Sequence, residues 1–314
     1  MTTAFLFPGQ GSQAVGMGKA LAEAHPEARA VFAEVDAALS EKLSDIIWNG
    51  PAETLTLTQN AQPALMAMSL AVMRVLEAKG VDLKSQVACV AGHSLGEYSA
   101  LAAAGALTLS DTARLLRLRG QAMQAAVPVG QGAMAALLGI DAQGAQKAVA
   151  EAAQGEICQV ANDNDPGQVV ISGAKAAVER AGEIAKKYGA KRAMMLNVSA
   201  PFHCALMQPA ADAMRLALAQ VQILKPVVPV IANVLAGPVG DADDIRRRLV
   251  EQVTGTVRWR ESIAAMAASG VNHVYEIGAG KVLCGLARRI VPTLDAKPVG
   301  TPEDIETALA ALTM

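Results

Sequence analysis

The stretch Gly92-His93-Ser94-Leu95-Gly96 sets one serine between two glycines, after the small apolar run Val87–Ala91 and before the helix-forming residues Glu97 to Ala104. A buried strand that turns at once into a helix holds such a serine on a tight elbow. Its hydroxyl is exposed, and the helix N-terminus lies under any negative charge that develops. The flanking glycines suit that turn because a β-carbon on either side would clash. The chemistry on offer is nucleophilic attack by Ser94. The same residues also spell a capping box, Ser94-x-x-Glu97, and the two readings are compatible.

A serine nucleophile needs a base, and the chain has four histidines. His25 closes an Ala/Glu-rich helix, His93 is inside the elbow itself, and His273 alternates within a strand. His203, in a loop that leads into a helix through Gln220, is the best placed of the four. Cys204 beside it reads as a small buried apolar residue. Arg119 is the third residue of interest. On a helix from Ser110-Asp111 to about Ala126, it shares a side with Leu115, Ala122 and Met123, whereas Arg114, Arg117, Gln121 and Gln124 fall opposite. A guanidinium in an apolar stripe needs an anion. That anion is either a structural carboxylate or a carboxylate on the substrate.

The glycine-rich loop Pro8-Gly9-Gln10-Gly11-Ser12-Gln13 follows the short strand Ala4–Phe7. Gly9-x-Gly11-x-x-Ala14 fits a relaxed dinucleotide fingerprint, but the segment that should supply its second strand and ribose acid, 31–39, reads as helix. The loop serves better as the source of a backbone N–H, from Gln10 or its neighbour, facing Ser94 in an oxyanion hole.

Composition supports this chemistry by exclusion. A net charge of −2 gives no electrostatic reason to expect nucleic acid or an anionic membrane as partner. The first residues lack a basic lead and soon meet Pro8, against a signal peptide. The longest uncharged apolar run, 99–109, is far short of a bilayer span. Cys89, Cys158, Cys204 and Cys284 are scattered, which indicates neither a disulfide framework nor a zinc site and fits a reducing cytoplasm. With aromatics at 3% and apolar residues at 52%, the core must be built from Ala, Leu, Val, Ile and Met.

The elements that must position these residues alternate. Helices are expected at 14–24, 64–79, 245–253, 259–269 and 282–290, and strands at 227–233 and 271–277, with 48–63 mainly loop. Alternation predicts an α/β fold with a mostly parallel sheet covered on both faces. Between them, 133–138, 142–153, 157–161, 168–172, 174–188 and 191–198 read β-α-β-β-α-β, a ferredoxin-like module inserted in the larger fold. Asn162 to Asp165 with Pro166-Gly167 are read as its central turn. The domains are therefore 1–128 with 199–314, a large catalytic subdomain with a hydrolase-like sheet, and 129–198, a small subdomain.

The ordered set Phe7-Pro8-Gly9-Gln10-Gly11-Ser12-Gln13, Gln62-Pro63-Ala64, Gly92-His93-Ser94-Leu95-Gly96-Glu97, Arg119-Gly120, Pro166-Gly167-Gln168-Val169-Val170 and Phe202-His203 resembles the malonyl-CoA:acyl carrier protein transacylases, over nearly the whole chain. The acyltransferase domains of fatty acid and polyketide synthases share these motifs. The resemblance implies Ser94 as nucleophile, His203 as its base and Arg119 as the clamp for the malonyl carboxylate. It also implies Gln10 and Leu95 as oxyanion donors, and a backbone carbonyl near Glu251-Gln252-Val253 orienting the histidine. Phe202 beside the base is implied to favour malonyl over methylmalonyl, and Gln252 is grouped with the substrate-binding residues. Ala279 departs from the family, which often has proline there. The implied partners are malonyl-CoA and an acidic, phosphopantetheinylated acyl carrier protein, docking on basic clusters such as Lys186, Lys187, Lys191 and Arg192, Arg246–Arg248 or Arg288-Arg289. No metal or bound cofactor is implied, and the setting is fatty acid biosynthesis in the cytoplasm. A polyketide-type acyltransferase and a serine esterase or thioesterase are the alternatives, the last wanting an aspartate between Ser94 and His203.

Overall fold

Alternate side chains of the first strand, β1 (Thr3–Phe7), serve two hydrophobic layers: Phe5 and Phe7 pack into one, Ala4 and Leu6 into the other. A strand buried on both faces is what a parallel sheet between helices requires. The computed structural model describes residues 2–312. The remaining strands are β2 (Cys89–Gly92), β3 (Gly132–Leu138), β4 (Cys158–Asp165), β5 (Gln168–Ala174), β6 (Arg192–Met195), β7 (Val230–Ala232), β8 (Gly237–Val239), β9 (His273–Ile277) and β10 (Asp295–Val299). The larger sheet runs β10-β9-β1-β2-β7-β8 and is parallel except for the β7–β8 pair. Helices 26–39, 58–78, 96–103 and 109–125 cover one face, and helices 259–268 and 282–290 the other.

The second sheet, β4-β5-β3-β6, is antiparallel, with helices 142–153 and 175–184 packed on one side around Leu137, Val149, Ile171 and Val178. Its strand order and two crossover helices make it a ferredoxin-like βαββαβ unit inserted between β2 and β7.

Several expected boundaries move for physical reasons. The helix expected over 14–24 begins only at Lys19, because Gly16 and Gly18 take left-handed backbone at φ 92° and 72°. The helix expected from Ala64 starts at Thr58 and runs through Pro63. Losing one backbone bond there is tolerated because the helix is buried on nearly every side. Asn162 to Asp165 are not turn residues: they lie inside β4 and are buried, and Pro166-Gly167 alone makes the hairpin. The side chains of Asp163, Asn164 and Asp165 are taken up by residues outside the second sheet. Asp163 pairs with Arg260 at 2.8 Å, Asp165 with Arg289 at 2.6 Å, and Asn164 bonds His93 at 2.9 Å. Backbone bonds from Asp163 N to Val257 O and from Val257 N to Ala161 O continue the contact. The edge strands β8 and β10, and helix 302–312, were not anticipated; prolines within Gly-Pro-Val and Asp-Ala-Lys-Pro-Val hide short edge strands from pattern reading.

Candidate active site

Pairing of β1 with β2 brings Phe7 abreast of Gly92, so the loops that follow both strands leave the same edge of the sheet together. A β-carbon on Gly92 would lie 1.9 Å from the Gly96 backbone, and one on Gly96 would lie 2.2 Å from the Phe7 carbonyl. These two glycines are what lets the chain fold back tightly enough to lift Ser94, itself at φ 53°, above the sheet edge. Gly9 approaches the His93 carbonyl closely enough that a β-carbon there would sit at 2.8 Å, which draws Gln10 in beside the elbow. Among the described residues, neither the Gln10 nor the Leu95 backbone N–H has a protein acceptor.

His203 reaches Ser94 from the loop before the helix Gln208–Leu218, also with left-handed backbone, φ 58°. Its Nε2 is 2.8 Å from Ser94 Oγ, and its Nδ1 is 2.8 Å from the Gln252 carbonyl oxygen. A carbonyl can only accept, so Nδ1 carries the proton and Nε2 is left to accept from the serine hydroxyl. Burial, together with the Arg119 charge, pushes the His203 pKa down to about 3, which keeps the imidazole neutral.

Arg119 is 1% exposed and projects from the helix Leu109–Ala125, whose N-cap is Thr108 rather than the expected Ser110-Asp111. Gly120 lets this helix touch the helix Thr58–Ala78, since a β-carbon there would come within 2.5 Å of Gln59 Cα. That approach delivers Gln62, whose Oε1 accepts from Arg119 Nη1 at 2.8 Å. Arg119 Nη2 donates to Gln252 Oε1 at 2.9 Å and to Ser94 Oγ at 3.2 Å, and the Tyr98 ring lies beneath the guanidinium at 5.6 Å. Its Nε–H has no hydrogen-bond partner among the described residues.

Ser94, His203, Arg119, Gln10, Leu95 and Phe202 all line one cleft of about 210 Å³, walled by Met123, Met134, Leu196 and Val198. Gln252 does not line it. Its amide is fully buried and spent on Arg119, Glu97 and the Ser94 carbonyl, so it is a support behind the cleft and not a substrate contact. The sequence reading also missed Asn233, whose Oδ1 accepts from Ser94 N at 2.8 Å while its Nδ2 donates to the Gly92 carbonyl at 2.7 Å. Its one signal is its place at the end of β7, next to β2 in the sheet. Glu97, expected to cap a helix, makes no such bond; its carboxylate instead accepts from Asn233 N and Gln252 Nε2. Of the basic clusters, Lys186, Lys187, Arg246 to Arg248 and Arg289 are engaged by acidic neighbours, and Arg288 by the Ala296 carbonyl. Lys191 and Arg192 have no ion-pair partner among the described residues.

Residues 4–300 match the acyl transferase domain family. The chain is 49% identical over 306 residues to the malonyl CoA-acyl carrier protein transacylase of Escherichia coli (strain K12), covering 98% of each chain. It is 48% identical over 310 residues to the enzyme of that name from Bacillus subtilis (strain 168), covering 98% of this chain and 96% of the relative. Among solved structures, an acyl-carrier-protein-S-malonyltransferase from Bartonella henselae superposes with a TM-score of 0.98 at 60% identity, each chain covered in full. A malonyl-transacylase solved in complex with a type II polyketide acyl carrier protein superposes at 0.96 with 45% identity, covering 99% of this chain and all of that one.

Proposed function

The chain belongs to the acyl transferase domain family, and from that membership we infer that it transfers malonyl from malonyl-CoA to the phosphopantetheine thiol of acyl carrier protein, in fatty acid synthesis. The observation that carries this reading is the buried guanidinium of Arg119 placed 3.2 Å from the Ser94 hydroxyl oxygen. An acyl group bound to Ser94 therefore has a fixed cation beside it, which suits an acid-bearing acyl group and not a neutral one.

Ser94 is the nucleophile. Its proton passes to His203 Nε2 as Oγ attacks the thioester carbonyl, and the Gln10 and Leu95 N–H groups hold the oxyanion. Collapse breaks the C–S bond, and the coenzyme thiolate leaves with the proton that His203 held. In the second half, the pantetheine thiol gives its proton to His203 and attacks the malonyl-serine ester. Ser94 Oγ then leaves and recovers that proton. Arg119 grips the malonyl carboxylate through both halves, and Phe202 limits the room beside the α-carbon.

The large subdomain, 1–128 with 199–314, carries the nucleophile and base, and the small one, 129–198, supplies the cleft wall at Met134 and Leu196. No helix of the described residues is long and apolar enough to cross a membrane. The four cysteines are free thiols, which suits the reducing cytoplasm in which we place the reaction.

The test is intact-mass analysis with malonyl-CoA. A malonyl adduct on Ser94 is expected, stable until a pantetheine thiol is added and absent from Ser94→Ala. An adduct on Ser94→Ala, or one lost to water as fast as it forms, overturns the reading.

A further inference from the structure

Behind the cleft, one carboxylate supports two residues that between them hold Ser94, His203 and one side of the Arg119 guanidinium. Glu97 is 1% exposed. Its Oε2 accepts from the Asn233 backbone N–H at 2.9 Å and from the Gln252 side-chain amide at 2.8 Å. Asn233 in turn holds the Ser94 backbone. Gln252 holds His203 with its backbone carbonyl and Arg119 with its side-chain oxygen.

A primary amide has two ends of nearly equal shape and opposite hydrogen-bonding sense. If Gln252 were turned over, its NH2 would meet the Arg119 guanidinium and its oxygen would meet the Glu97 carboxylate. Donor would face donor and acceptor would face acceptor, in a place no water reaches. A carboxylate oxygen only accepts, so Glu97, the nearest of the acceptors at 2.8 Å with the Ser94 carbonyl at 3.0 Å and Asn233 Oδ1 at 3.3 Å beside it, fixes the amide with its NH2 inward and its oxygen towards Arg119. That direction decides whether the guanidinium is held in reach of the Ser94 hydroxyl, 3.2 Å away, or pushed off it.

We propose that Glu97 is a positioning residue that sets acyl selectivity, by locking the donor–acceptor direction of the Gln252 amide and through it the aim of Arg119. Burial pushes the Glu97 carboxyl up to about 7, so the accepting oxygen matters more here than a full negative charge. The proposal rests on the malonyl-transfer reading.

The experiment measures single-turnover acylation of Ser94 by malonyl-CoA and by acetyl-CoA, with melting temperature, in wild type, Glu97→Gln, Glu97→Ala and Gln252→Ala. Glutamine keeps an accepting oxygen, so its malonyl-to-acetyl ratio should stay within about threefold of wild type. Alanine removes the acceptor, and the ratio should fall about ten- to hundredfold, the share of a hydrogen bond to a charged group. If Glu97→Ala does not fold, Glu97→Leu, which fills the space but offers no accepting oxygen, carries the same expectation, with Gln252→Ala as the limit in which the Arg119 contact is lost outright. An unchanged ratio with a lowered melting temperature makes Glu97 merely structural and overturns the proposal. So does a ratio that falls equally in Glu97→Gln, which would put the effect in the charge. Wild type that takes no malonyl at all sinks the functional reading, and the proposal with it.

Discussion

Replacing Arg119 with alanine removes the guanidinium that reaches the Ser94 hydroxyl, and its effect can be sized from the contacts it makes. Nη1 and Nη2 are held by the side-chain oxygens of Gln62 and Gln252 at 2.8 and 2.9 Å, so the cation is preorganised and little ordering is left for the substrate to bring about. On the proposed reading, the malonyl carboxylate gains a charge-assisted contact with this cation. Taking away one partner of such a pair is worth about 2–5 kcal/mol, or roughly 30- to several thousand-fold in kcat/KM. Acetyl lacks the carboxylate and leaves the guanidinium unanswered, so acetyl transfer should fall far less or rise. The variant also strands two glutamine oxygens, each costing about 1–3 kcal/mol, against the relief of losing a buried charge. Stability is therefore measured alongside activity. The assay is kcat/KM for malonyl-CoA and acetyl-CoA in wild type, Arg119→Ala and Arg119→Lys. Lysine should rescue poorly, as a point charge without the fork that Gln62 and Gln252 grip. An alanine variant with the wild-type malonyl-to-acetyl ratio would refute the clamp.

His203→Ala should slow Ser94 acylation by about 10²–10⁴-fold, the usual share of a general base, with a malonyl adduct still forming slowly by mass. Because His203 sits at about 3 in the folded protein, it stays unprotonated and able to act as pH falls through the ordinary imidazole range. The acid limb of kcat/KM for malonyl-CoA should thus lie well below 6.5, and a midpoint near that value would contradict the assignment. A malonyl carboxylate on Arg119 offsets the charge that helps depress His203, so the acid limb of kcat should lie above that of kcat/KM. Phe202 narrows the cleft beside the base, and methylmalonyl-CoA should be used about ten- to a hundredfold less well than malonyl-CoA by kcat/KM, the worth of one methyl. Charge reversal at both Lys191 and Arg192 should raise KM for an acidic carrier protein at low salt while leaving acylation by malonyl-CoA unchanged, as measured by steady-state transfer.

The elbow was legible because its geometry leaves so few options. A serine at φ 53° between two glycines that nothing larger can replace is written into the sequence by the glycines. Arg119 was legible from helical phase, since a charge in an apolar stripe contradicts its surroundings. What answers that charge was not, because Gln62, Gln252 and Glu97 come from three other helices, and no spacing links them. Helical pattern also failed where burial was complete: Pro63 sits inside a helix whose packing outweighs the lost backbone bond. Asn162 to Asp165 misled for the opposite reason. Polar residues in a row suggest a turn, and partners far away in the chain, Arg260, Arg289, His93 and the Val257 backbone, make them a buried strand.

That strand bears on how the molecule comes apart. β4 is joined to residues 256–260 by backbone bonds from both the N–H and the carbonyl of Val257, by the Thr256 hydroxyl on the Val160 carbonyl and by the Asp163–Arg260 ion pair, and to helix 282–290 by the Asp165–Arg289 pair, so the second sheet is stitched along one border to the body of the protein. Its opposite border, β6, carries the half-exposed Met194 and Met195 and runs straight into the cleft wall at Leu196. Melting the insert would leave Arg260, Arg289 and His93 without their partners, so the two sheets are bound into a single cooperative unit along that seam.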